Sequence, residues 1–210
     1  MVAKPLTGEQ IEELKGLGET HFWPHSRPTG DMSDDTGIKL VTHAKGIWVE
    51  GPTGERHVDL IAGMWLKNIG HGRKEIADAV YEQMLDVSYS PGGTVAPATI
   101  KLASKVASLT PDPESRVYFV SGGSEAVETA VKMAKKYQYN IGERGRWKVI
   151  SRQNSYHGAT HLCMSLGFNA VNRPNDYGPL VPGNIRISNP GLTYRTMPGD
   201  WDMQYAYDLE

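Results

Sequence analysis

Two short loops carry the residue types that could do chemistry. The first is Ser-Gly-Gly-Ser at 121–124, between an apolar run, Arg116-Val-Tyr-Phe-Val120, and a helical pattern that continues to Tyr137. Glycines have no Cβ, so backbone N–H groups beside them can approach an anion closely. A helix start adds orphan N–H donors and a partial positive charge. Ser124 can cap the helix or donate its hydroxyl. Several charge-assisted hydrogen bonds, each worth about 1.5–3 kcal/mol, would hold a phosphate in such a cup. Glu125, in the first turn, would repel a dianion if its carboxylate pointed inward. A Gly-rich turn with a serine cap and no ligand is the alternative. A Walker P-loop needs a lysine after the glycines, and none follows. A dinucleotide turn needs Gly-x-Gly-x-x-Gly, and the next strand ends in Ser151-Arg152 rather than an acid, which would at best suit NADP.

The second loop is Asn154-Ser-Tyr-His-Gly-Ala-Thr160. It follows the strand pattern Trp147-Lys-Val-Ile-Ser151. In a parallel α/β sheet, ligands sit beyond the carboxyl ends of the strands, so the two loops should share a crevice. An aromatic ring beside a phosphate cup suits a planar ring with a phosphate tail, such as pyridoxal phosphate.

These loops need elements to position them. Strand 116–120, a helix over 124–140 and strand 147–151 make a strand, helix, strand unit with room for a parallel crossover. Upstream, Thr7-Gly-Glu-Gln10 is a capping-box pattern that starts a short helix. Residues 46–50 and 56–60 read as a hairpin around Gly-Pro-Thr-Gly-Glu. Ile76, Val80, Met84 and Val87 share one face of a helix over 73–87. Pro97 opens another helix, with Ile100, Ala103, Val106 and Ala107 inward. Residues 158–166 read as a short helix, 183–187 as a strand and 201–210 as the start of a helix. The expected class is α/β, with a small α+β segment first.

Composition excludes several roles. The 210 residues include 22 basic and 24 acidic ones, a formal net charge of -2, so nothing favours nucleic acid. No apolar run approaches the roughly 20 residues that cross a bilayer. One cysteine, Cys163, permits no internal disulfide and fits a reducing cytoplasm; it is expected as a small buried hydrophobe. His157 and His161 lack an HExxH pattern, which argues against a metal. Gly70-His71-Gly72 reads as a turn rather than a site.

The segment "FVSGGSEAVETAVKMAKKY", with "SYHGAT" after it and "LIAGMWLKNIGHGRKEIADAV" (60–80) before it, resembles the class III, or ω-, aminotransferases. The likeness runs in consistent order from about Gly46 to Leu166. It implies the N-terminal portion of a fold-type I pyridoxal-phosphate transferase. Residues 1–68 would begin the small domain, and 69–210 would be the first part of the large cofactor-binding domain, incomplete at its C-terminus. It implies that Gly122, Gly123 and Ser124 hold the cofactor phosphate, that Tyr156 stacks on the pyridine, and that His157 and Gly158 complete that loop. Trp65 would line the substrate pocket, and the piece around Pro24-His25 would close over it. The loop Ser90-Pro-Gly-Gly-Thr94 would reach the partner's active site in a homodimer. The partners implied are an amine donor and a keto-acid acceptor such as pyruvate. The family's catalytic lysine and its pyridine-binding aspartate match nothing in these residues and are expected beyond Glu210. The same scaffold hosts aminomutases and decarboxylases, and a non-catalytic cofactor-cup or dimerising fragment is the rival reading.

Overall fold

The structure is a computed structural model that describes residues 5–25, 39–167 and 177–187. The expected irregular stretch before residue 38 lies largely outside these, and the expected helix start at 201–210 lies wholly outside them. Two units divide the chain, Met1–Leu102 and Ala103–Glu210.

The first unit begins with α1 (Gly8–His21), where the expected capping box forms in full. Gln10 N–H donates to Thr7 Oγ1 at 3.3 Å, and Thr7 N–H donates to Gln10 Oε1 at 2.9 Å. Next come β1 (His43–Lys45), β2 (Trp48–Glu50) and β3 (Arg56–Val58), an antiparallel sheet in the order β1-β2-β3. The sequence pattern yields only two of these strands. Residues 42–45 lack an alternating apolar signal, so the third is invisible until it pairs. Its pairing depends on Gly46, whose φ of +60° makes a two-residue turn that sets Lys45 opposite Trp48.

After β3, Asp59 leads into α2 (Ala62–Trp65), a single turn of unusual backbone. Ala62, Gly63, Met64 and Trp65 have φ of 47°, 56°, 56° and 69°, so four consecutive residues are left-handed. For each non-glycine residue this costs about 1–2 kcal/mol. Helix α3 (Lys74–Asp86) follows, and helix α4 (Pro97–Ala107) runs past the unit boundary at Leu102; both start within a residue or so of expectation. Their apolar faces are present but not inward: Ile76, Val80, Met84 and Ile100 are all exposed, and only Ala107 is buried. An amphipathic pattern specifies a face; it does not supply what covers it.

The second unit is built on α5 (Gly123–Asn140), β4 (Val149–Arg152), α6 (His161–Leu166) and β5 (Asn184–Ile187). Strands β4 and β5 pair in parallel, Val149 with Asn184 through Arg152 with Ile187. Helix α6 packs on them and supplies the buried centre, Cys163, Ser165 and Leu166. Cys163 is the buried small residue the sequence suggested.

One expected strand finds no partner among the described residues. Residues 116–120 have no ladder partner among the described residues, and Tyr118 and Phe119 are exposed. The crossover therefore joins β4 to β5 instead of 116–120 to 147–151. A buried-strand pattern shows readiness to pair, while pairing itself needs a neighbour at ladder distance. The expected strand at 147–151 is shifted, since residues 147 and 148 precede the ladder. The helix expected over 158–166 begins at 161, because Gly158 is at φ +131° and Thr160 is extended.

Candidate functional site

Helix α5 has 18 residues and starts at an open end. Its N-cap is Gly122, extended at φ -160° and ψ 168°, and no side chain caps it. Of the two roles open to Ser124, capping is ruled out, because Ser124 lies inside the first turn. The amides of Gly123, Ser124 and Glu125 are thus orphan donors at the positive end of the helix dipole. A Cβ built on Gly122 or Gly123 would meet no atom within 4 Å, and neither residue has a positive φ. The fold itself does not need glycine there. What these glycines leave is open space beside the amides.

Glu125, the carboxylate that could have opposed an anion, is engaged elsewhere. Its Oε2 accepts from Ser121 N–H at 2.8 Å. With Tyr118, Phe119, Val120, Glu128 and Lys132 it lines a cavity along the helix.

The second loop joins this cup directly. Ala159 N–H donates to Ser124 Oγ at 3.0 Å, and Cys163 Sγ donates to Ser124 main-chain oxygen at 3.4 Å. The Ser124 hydroxyl proton has no acceptor among the described residues, so it can still donate to a ligand. Gly158 makes the approach possible. A Cβ there would lie 2.4 Å from Ser124 Oγ and 3.0 Å from Cys163 Sγ. Gly158→Ala should therefore lower stability by about 1–3 kcal/mol through overpacking. Thermal unfolding should show a midpoint lower by several degrees. An unchanged midpoint would mean that the loop does not rest on Ser124.

Tyr156 stands 64% exposed beside this junction, so its ring is free to meet a ligand. His157 is half-buried, and its Nε2 lies 3.1 Å from Ser155 Oγ. Ser155 Oγ donates its proton to Arg152 main-chain oxygen, so the histidine must be the donor in that pair. His157 thus ties the loop to itself. His161 is bound to Pro179 main-chain oxygen at 3.0 Å, and His157 precedes the helix. The two histidines are not one helical face. Ser124 and Gly158 come together in the second unit, with Gly122 and Gly123 at the start of the same helix as Ser124 and with Tyr156 and His157 on the same loop as Gly158.

Trp65 belongs to the first unit. It ends the left-handed turn and is 76% exposed. The turn rests on a residue the sequence pattern did not reveal. Asp59 Oδ2 accepts from Gly63 N–H at 2.7 Å and from His71 Nε2 at 2.8 Å. The His71 bond, with further bonds from the Gly63 and Ile61 amides, holds the Asp59 carboxyl below the usual carboxylate range, against the opposite push of burial. A lowered value means the interaction is complete above the ordinary carboxylate range and is lost as pH falls through the folded-state value. The expected turn at Gly70-His71-Gly72 is instead an isolated antiparallel bridge from His71 to Gly46, flanked by glycines at φ 84° and 66°. Its histidine is also a partner in this pair. Nothing in the spacing of Asp59 and His71 signals that; only the chain path brings them together. Pro24 is buried and His25 exposed. In the loop 90–94, Thr94 Oγ1 donates to Pro91 main-chain oxygen at 2.8 Å.

The family described as aminotransferase class-III matches residues 30–205. An ω-amino acid–pyruvate aminotransferase of Pseudomonas putida is 35% identical over 91% of this chain and 43% of its own. The solved structure of a thermostable (S)-enantioselective ω-transaminase from Thermomicrobium roseum superposes with a TM-score of 0.81 at 31% identity, over 99% of this chain and 46% of that one. An amine transaminase from an uncultivated Pseudomonas species, solved in a PLP-bound form, is similar at a TM-score of 0.72 and 32% identity, over 87% of this chain and 40% of that one. The chain thus spans about two-fifths of the length of the relatives it matches. The chain belongs to the class-III aminotransferases, a family that works with pyridoxal phosphate, and its elements form part of the fold-type I transferase fold.

Proposed function

We propose that the protein carrying this chain is a pyridoxal-phosphate aminotransferase that moves an amino group from an amine or ω-amino acid to a keto acid such as pyruvate. The observation that carries this reading is the uncapped start of α5, with open space at Gly122 and Gly123 and a direct bond to Ser124 Oγ from the Ala159 amide of the Tyr156 loop. The amides of Gly123 and Ser124, with the Ser124 hydroxyl, would hold the phosphate. Gly122 leaves room for it. Tyr156 would lie against the ring. His157 and Gly158 would keep that loop in place, and Trp65 would shape the substrate pocket. When bound, the cofactor supplies an electron sink for bonds at the amine-bearing carbon.

The assignment of 1–68 to the small domain and of 69–210 to the large one belongs to the same proposal. So do a homodimer in which the loop 90–94 reaches the neighbouring site, and a cytoplasmic location. The lysine that bonds the cofactor aldehyde is proposed to lie outside these residues. The chain has twelve lysines. Lys132 and Lys136 are exposed on α5, and Lys148 sits at the amino end of its strand, away from the cup. The test is borohydride reduction of the cofactor-loaded protein, digestion and mass mapping, beside an assay for alanine formed from pyruvate and an ω-amino acid. One stoichiometrically labelled lysine outside residues 1–210, with alanine formed, is expected. A stoichiometric adduct on any of the twelve, or no alanine from any amine donor, would overturn the assignment.

A further inference from the structure

The left-handed turn inverts ordinary burial. Its large apolar side chains point outward: Met64 is 64% exposed, Trp65 76% and Leu66 82%. Its polar anchors point inward: the side chains of Asp59 and His71 are only 11% and 18% exposed. A strained backbone of this kind persists only when its surroundings over-determine it. Here the anchoring is dense. Asp59 N–H donates to Ile47 main-chain oxygen at 2.8 Å, which ties the carboxylate-bearing residue to the sheet. His71 exchanges two backbone bonds with Gly46, at 2.8 and 3.0 Å, which ties the imidazole to the same hairpin. Between these two fixed points, Asp59 Oδ2 takes both the His71 ring and the Gly63 amide. Trp65 N–H closes the turn onto Ile61 main-chain oxygen at 2.9 Å. Among the described residues, the side-chain oxygen that joins histidine and turn is Asp59 Oδ2.

We propose that Asp59, clamped by His71, is a positioning residue that fixes the left-handed turn and so sets the orientation of Trp65 as a specificity-determining wall for the amine. This rests on the reading of Trp65 as part of the substrate pocket. Asp59 itself touches no substrate. It acts through the Gly63 amide, which is the second residue of the turn and two before Trp65.

The experiment measures kcat/KM for one small and one bulky amine donor in the holoenzyme, and takes their ratio. The fraction of correctly folded enzyme cancels in that ratio, so a merely structural role would not move it. Asp59→Ala should change the ratio by about tenfold, the size expected for one lost hydrogen bond to a charged group. Asp59→Asn keeps a side-chain oxygen for the same two donors and should restore most of it. Trp65→Ala is run beside them. A changed ratio in Trp65→Ala with an unchanged ratio in Asp59→Ala would overturn the clamp and leave the pocket reading intact. An unchanged ratio in Trp65→Ala would instead sink the pocket reading. The clamp is then judged alone, by fluorine NMR of fluorotryptophan-labelled protein. Its Trp65 signal should shift or split in Asp59→Ala and hold in Asp59→Asn, and an unmoved signal overturns the clamp. Should Asp59→Ala fail to fold, His71→Ala, which keeps the Gly63 bond, takes its place with the same expected direction.

Discussion

Gly123→Val should weaken pyridoxal-phosphate binding by at least about tenfold, and by at least about a hundredfold if two phosphate contacts are lost, since each is worth about 1.5–3 kcal/mol. The prediction is sharp because the fold tolerates the change. No atom lies within 4 Å of the new Cβ, and Gly123 does not have a positive φ. Valine in a first helical turn has a propensity cost of only about half a kcal/mol, and against glycine it is even slightly favoured. The methyls would therefore occupy ligand space rather than protein space. Titration of the cofactor-free protein, followed by absorbance, reads the affinity, and thermal unfolding without cofactor serves as the control. A weaker affinity at unchanged stability is the expected pair. Unchanged affinity removes Gly123 from the cup. Gly158 shows the opposite case, where the protein's own Ser124 and Cys163 fill the space a side chain would need.

Tyr156 should divide by substitution. If its ring stacks on the cofactor, Tyr156→Phe keeps the ring and should lose little, while Tyr156→Ala should weaken binding by about 1–3 kcal/mol, the value for an aromatic under a nucleic-acid base taken by analogy. That is about 5- to 150-fold in affinity. Its 64% exposure matters here, because truncation opens no cavity in the protein and little stability should be lost. The phenol makes no hydrogen bond among those found in the described residues, which is why its loss should be mild. Equal losses in the two variants would mean that the hydroxyl, not the ring, carries the role.

Much of this was legible in local pattern. The capping box at Thr7 and Gln10 announced α1, because both hydrogen bonds span three residues. The periodicity of Ile76, Val80 and Met84 announced α3. The two candidate loops were readable because a glycine pair between an apolar run and a helical pattern has a local meaning. The fate of Glu125 was not readable. Its side chain could reach the cup or the Ser121 amide, and the rotamer chose the latter.

By itself, the sequence determined α1, α3, α4, α5 and α6, the class, and the residue types at the two candidate loops, because those follow from propensities and contacts within about four positions. Tertiary structure decided everything that depends on chain path. Among the described residues it left 116–120 without a ladder and gave β4 to β5, since pairing needs a neighbour and not only a pattern. It joined Ser124 to Ala159 across 35 positions and to Cys163 across 39, bringing two separate motifs into contact. It brought Asp59 to His71 across 12 positions and so held four residues in a left-handed turn that no residue type but Gly63 favours. Strain of that kind is supported from outside the strained segment, so only the folded chain reveals it.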